Sequence, residues 1–220
     1  MPRMELFAAL ALPLLAAAGF VWRRGLRRRR ARYIERYPFY KLLDERLAAR
    51  RPELNAAQRQ LVCSGLREYF QLCRLAHGRA VAMPSRAVLD AWHEFILHTR
   101  RYRAFCGKAF GRYLDHAPRT EIDTPARLQE GVRRTWRLSC LCEGINPKTP
   151  RNLPLLFSID GMLGICDGFH YRPECLSGGR EAAGGGSAGE AAGGLFCARH
   201  LACGGVCCGS LAACAEASAA

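Results

Sequence analysis

The chain has 220 residues, half of them apolar and 24% charged, with 33 Lys and Arg against 19 Asp and Glu for a net charge of +14. That apolar share is enough for a packed core and excludes wholesale disorder, and the composition excludes an acidic, collagen-like or coiled-coil protein. Twelve cysteines exceed ordinary usage but are too sparse for a small disulfide-stapled scaffold.

The first element is apolar. Leu6 to Trp22 reads LFAALALPLLAAAGFVW, without a charge. As a helix rising about 1.5 Å per residue it spans roughly 25 Å, the short end of what crosses a bilayer core. Pro13 and Gly19 are tolerated in a membrane helix, and Trp22 stands where an interfacial aromatic anchor belongs. Residues 4–22 are therefore expected to form a transmembrane anchor. Arg23, Arg24, Arg27, Arg28, Arg29 and Arg30 follow at once, and residues 23–36 hold eight Arg and one Glu. The amino side offers only Arg3 and the terminal amine against Glu5. Positive charge resists translocation, so the expected topology is a single pass in the cell membrane, N-terminus outside and main domain cytoplasmic. The six arginines would then contact anionic lipid head groups.

Two alternatives stay open. Ala16-Ala17-Ala18 before Gly19 fits the cleavage site of a signal peptide, which the Arg cluster opposes. Clustered Arg also suits nucleic acid, a weaker reading beside an apolar helix. Behind a cytoplasm-facing anchor, cysteines are expected free or metal-bound rather than paired.

Residues 37–175 carry helical periodicity. Asn55-Ala56-Ala57-Gln58 fits a capping box, after which Val62, Leu66, Tyr69, Phe70 and Cys73 recur at three- and four-residue steps until Gly78. Ser85 can cap the next helix, with Val88, Trp92, Phe95, Ile96, Tyr102, Phe105 and Cys106 along its inner side. Thr124-Pro125 opens another with Leu128, Val132 and Trp136 on its stripe. No stretch alternates at period two, and the short apolar run from Pro154 to Ile165 leaves helix and strand undecided. The fold class expected is all-α: four to six helices in a compact domain behind the anchor.

His93, Glu94, His98, Cys106 and His116 lie close together in sequence and invite a metal reading. His93 and His98 are five apart, so on an unbroken helix their rings diverge by roughly 140° and cannot share an ion. The zinc-protease pattern therefore fails. An enzyme built on His93, Cys106 and His116, metal- or thiol-dependent, stays an alternative; the simpler expectation is that both histidines are hydrogen-bonded helix contacts and Cys106 a buried hydrophobe.

The run Val88-x-x-Ala91-Trp92-His93, Tyr102, Phe105-Cys106, Phe110-Gly111 and Leu114-Asp115-His116 resembles the glycine-rich domain-containing protein-like family. A later Pro154-Leu-Leu-Phe-x-x-Asp160 segment and a Gly/Cys-rich end add to the likeness. Trp92, His93, Tyr102, Cys106, Gly111 and His116 are the motif positions. Phe95 stands where plant-type members have a second His. The resemblance implies a shared helical fold and carries no established activity.

Residues 176–220 hold eleven Gly and thirteen Ala, too little apolar bulk to offset ordering entropy, and are expected to be a disordered tail. Within it Cys197, His200, Cys203 and Cys207 have spacing that would close a small zinc site. The domain plan is thus 4–22 anchor, 23–36 Arg-rich juxtamembrane segment, 37–175 helical domain and 176–220 tail. The expected function is a non-catalytic interaction or assembly module with an unidentified protein partner.

Overall fold

The computed structural model describes residues 2–115, 125–173, 195–197 and 201, with side chains from Leu14 onward except those of Pro125 and 195–197. Among these residues are seven helices: α1 Pro2–Glu35, α2 Phe39–Arg50, α3 Ala56–Leu75, α4 Arg86–Leu97, α5 Thr99–Phe110, α6 Pro125–Glu143 and α7 Leu155–Leu163. Two short strands, β1 His170–Arg172 and β2 Leu195–Cys197, pair in parallel with His170 opposite Leu195. The fold is helical, as its periodicity implies.

Local chemistry sets the helix ends. Asn55 and Gln58 form the full reciprocal capping box at the start of α3, at 3.0 and 2.9 Å. Ser85 caps α4 by accepting from the Val88 N–H at 3.1 Å. The helix expected from Ser85 through Cys106 is instead two: His98, at φ −79 and ψ 55, leaves helical geometry, and α5 restarts at Thr99. The undecided run after Pro154 is α7, stopped by Gly164 in the left-handed region at φ 65.

The core is aromatic. Phe39 of α2, Phe70 of α3, Phe95 of α4 and Phe105 of α5 are all fully buried. Their ring centroids lie 5.0 to 6.1 Å apart in tilted, stacked and edge-to-face pairs. The last turn of α1 joins them: Ile34 is fully buried, and Tyr33 and, just beyond the helix, Tyr37 contact Phe105 at 5.8 and 4.8 Å. The segment expected to be juxtamembrane therefore runs into the domain without a break. α3 passes α4 and α7 at Gly65, where a Cβ would sit 2.8 Å from Val88 Cγ2.

Of the segment expected to be a disordered tail, four residues are described. Leu195–Cys197 adds a strand beside β1, and Leu201 is 2% exposed in the core. Gly and Ala content describes the segment's average, and Leu195, Phe196 and Leu201 are among its apolar exceptions.

Asp160 connects what the local signals do not. Its carboxylate comes from α7, is 1% exposed, and meets the first turn of α4. It accepts from Ser85 Oγ at 2.6 Å, from the Arg86 and Ala87 N–H groups at 2.6 and 3.2 Å, and from the Phe169 N–H at 2.9 Å. A negative charge at a helix N-terminus satisfies donors the helix itself cannot. Gly168 lies so close that a Cβ would approach Asp160 Cβ to 2.8 Å. Alongside, Arg51 at the end of α2 donates to buried Asp90 at 2.7 Å and to Asp167 at 2.8 and 2.9 Å. α2, α4 and the loop after α7 are thereby tied together.

Asp160→Ala is expected to cost about 3 kcal/mol by leaving several buried donors unmet, against about 1 kcal/mol for Ser85→Ala. Urea denaturation followed by far-UV circular dichroism measures both. Equal, small losses would show that Asp160 is no more than one cap among others.

Candidate functional site

The resemblance motif folds into a buried lock. Trp92 Nε1–H on α4 donates to the Tyr102 hydroxyl on α5 at 3.1 Å, and that hydroxyl donates to the Leu114 carbonyl at 2.7 Å. Trp92, Tyr102 and Cys106 are 4%, 1% and 0% exposed. Burial first, then the neighbouring Cys106, raises the Tyr102 phenol. Gly111 ends α5 in the left-handed region at φ 74, its N–H donating to the Gly107 carbonyl at 3.0 Å. The Arg30 guanidinium occupies the space a Cβ at Gly111 would need. His93 is half-buried on α4, and His116 lies outside the described residues.

Of the six cysteines with described side chains four are buried, and Cys142 and Cys166 are exposed. Cys63, Cys73, Cys106, Cys140, Cys142 and Cys166 are free. Burial pushes the thiols of Cys63, Cys73 and Cys140 up to about 12. Cys106 is raised as well, by burial foremost. A nucleophilic thiol needs the opposite shift. The break at His98 removes the straight-helix reason for keeping His93 and His98 apart. Even so, among the described residues no three His, Cys, Asp or Glu side chains form a metal-holding group. Of the zinc set in the tail, Cys197 contributes its backbone to β2, while His200, Cys203 and Cys207 lie outside the described residues.

The arginine run divides. Arg23, Arg24, Arg27, Arg28 and Arg29 are exposed, but Arg30 turns half-buried toward α5. Among the described residues no helix is long and apolar enough to cross a membrane. The anchor expected at 4–22 falls partly on side chains before Leu14, which lie outside the described set.

One ionisable pair has no obvious sequence signal. Burial, then the charge of Glu143, pushes the Glu68 carboxyl up to about 8. Glu143 accepts from the Leu155 N–H at 2.8 Å and so caps α7. A carboxylate pair is a known acid–base device, but here one partner is committed to a helix end.

Two outcomes follow from these groups. Tyr102→Phe removes the hydroxyl that bridges Trp92 Nε1 and the Leu114 carbonyl and is expected to cost about 2 kcal/mol in urea denaturation; a neutral result would mean that the hydrogen bonds carry no stability. Folded Glu68 keeps its proton to about pH 8, whereas the unfolded side chain releases it near 4.5. The folded state therefore binds the extra proton between those values, and stability falls as pH rises through that window. Urea midpoints at pH 5.5 and 8 are expected to show this fall in the wild type and a much flatter profile in Glu68→Gln.

A family model described as UCP032817-like matches residues 29–200. No curated protein and no solved structure gives a match. The likeness to glycine-rich domain-containing proteins stays a likeness, since the matching model carries a different description. The matched region begins at Arg29 and takes in about the last two turns of α1, every later described helix and both strands. It includes the Trp92–Tyr102–Leu114 relay, the Asp160 anchor and the Arg30 seat on Gly111. The chain belongs to the UCP032817-like family.

Proposed function

We propose that the chain is a membrane-tethered, non-catalytic helical module with its N-terminus outside and its domain facing the cytoplasm, where it engages a protein partner. The observation that carries this reading is the contrast along α1. Ile34 at its end is fully buried, whereas Leu14, Leu15, Phe20, Val21 and Trp22 are 64 to 73% exposed. A continuous helix of 34 residues thus holds its apolar half away from the domain that buries its other end. In water such a stripe is costly, and lipid removes that cost. The exposed arginines from Arg23 to Arg29 follow the apolar stretch, where they would meet anionic head groups.

The enzyme alternative has less support. Cys106 is buried with a raised thiol, and its motif neighbours Trp92 and Tyr102 are spent on internal hydrogen bonds. Nucleic-acid binding would use the same exposed arginines without the apolar stretch.

Fractionation of cells expressing the full chain and a version lacking residues 1–22 tests the proposal. The full chain is expected in the membrane pellet after alkaline carbonate washing, and the shortened one in the supernatant. Recovery of both in the supernatant overturns the tether.

A further inference from the structure

A cavity of about 270 Å³ opens where α1, the end of α3 and the end of α5 converge. Arg30, Arg74, His77 and Arg112 line it together with Cys73, Gly78 and Phe110, and there is no carboxylate among the described lining residues. Among the described residues none of the three arginines has an ion-pair partner within 4 Å.

The arginines are held in place by the fold. Gln71 donates to the Ala31 carbonyl of α1 at 2.9 Å and accepts from Arg74 Nε at 2.9 Å, which fixes Arg74 beside α1. Arg30 is seated against Gly111, a position whose φ of 74 already favours glycine. Arg112 follows directly after that cap. The turn at His77 and Gly78, with φ 51 and 90, closes the remaining side.

Three guanidinium groups line one cavity, and their like charges repel; at Arg74 burial disfavours the cation most, Cys142 works the other way, and the nearby Arg27 charge adds to the burial effect. An anion entering the cavity relieves this repulsion. Guanidinium forks match the oxygens of a phosphate group in paired, charge-assisted hydrogen bonds. We infer that this cavity is a binding site for a dianionic phosphate group, either free or as the phosphomonoester end of a lipid. The inference goes beyond the tether and does not need it, because a free phosphate can reach Arg112 from solvent. Under the tether reading, Arg30 stands eight residues past Trp22, roughly 12 Å along the helix, which is head-group depth.

The test uses the full chain in neutral detergent micelles, titrated with inorganic phosphate at fixed ionic strength and followed by isothermal calorimetry. Saturable binding is expected, weakened about tenfold in Arg112→Gln and in Arg74→Gln. Arg137→Gln, which changes an exposed arginine of α6 outside the cavity, is expected to leave binding unaltered. Thermal melts confirm that the variants fold. Nanodiscs with phosphatidic acid, compared with phosphatidylglycerol of equal charge, separate the two sources. A preference for phosphatidic acid that Arg112→Gln abolishes assigns the lipid; phosphate binding without that preference assigns the free anion. Either result supports the site. Absence of saturable binding in both settings overturns it, as does an equal loss in Arg137→Gln and Arg112→Gln. Failure of the tether in fractionation would leave the phosphate titration standing.

Discussion

The burial of one helical turn decides how the molecule presents itself. Tyr33 and Ile34 lie at the end of α1, and with Tyr37 just beyond it they reach the cluster of Phe39, Phe95 and Phe105. Gln71 adds a hydrogen bond to the Ala31 carbonyl, and Arg67 donates to the Tyr37 carbonyl at 3.3 Å. Because α1 is continuous from Pro2 to Glu35, whatever fixes its last turn also aims its apolar half and sets Arg30 against Gly111. Loosening the aromatic cluster would therefore disturb the outward face and the basic cavity together. The hydrophobic contribution of a few buried rings, of order 2 kcal/mol each, outweighs what any surface arginine adds.

The domain around that turn is fastened by polar contacts that bridge distant parts of the sequence. Asp160 reaches the start of α4 across 75 positions, and Arg51 reaches Asp167 across 116. Each joins helices that apolar packing alone would let slide, since packing is non-directional and hydrogen bonds are not. The Trp92–Tyr102–Leu114 relay serves the same end between α4, α5 and the segment after it. Two of the most distinctive side chains of the sequence, Trp92 and Tyr102, thus help hold the fold together.

What was legible in the sequence follows the range of the interactions. Asn55 with Gln58, and Ser85, signal helix starts because a cap and the N–H groups it serves lie within three residues. The core stripe of α3 was readable for the same reason, from Val62 to Cys73. His98 was not: nothing in its neighbours marks the break that splits α4 from α5. The pairing of Leu195–Cys197 with β1 was hidden by the surrounding Gly and Ala. Arg30 looked like its five predecessors, and only the approach of α5 turns it inward. Arg74, His77 and Arg112 had no common signal, since they meet only once α1, α3 and α5 have packed. Glu68 and Glu143, on different helices, were equally silent.

Trp22 offers the most direct reading of the outward half of α1. The chain has three tryptophans; Trp92 and Trp136 are 4% and 0% exposed, and Trp22 is 73% exposed. The decisive measurement is tryptophan fluorescence of the full chain reconstituted in vesicles whose lipids carry bromine on the upper acyl carbons. Partial quenching that Trp22→Phe removes is expected. Emission unaffected by the brominated lipid, or quenching that persists in Trp22→Phe, contradicts a helix held in the bilayer at that residue.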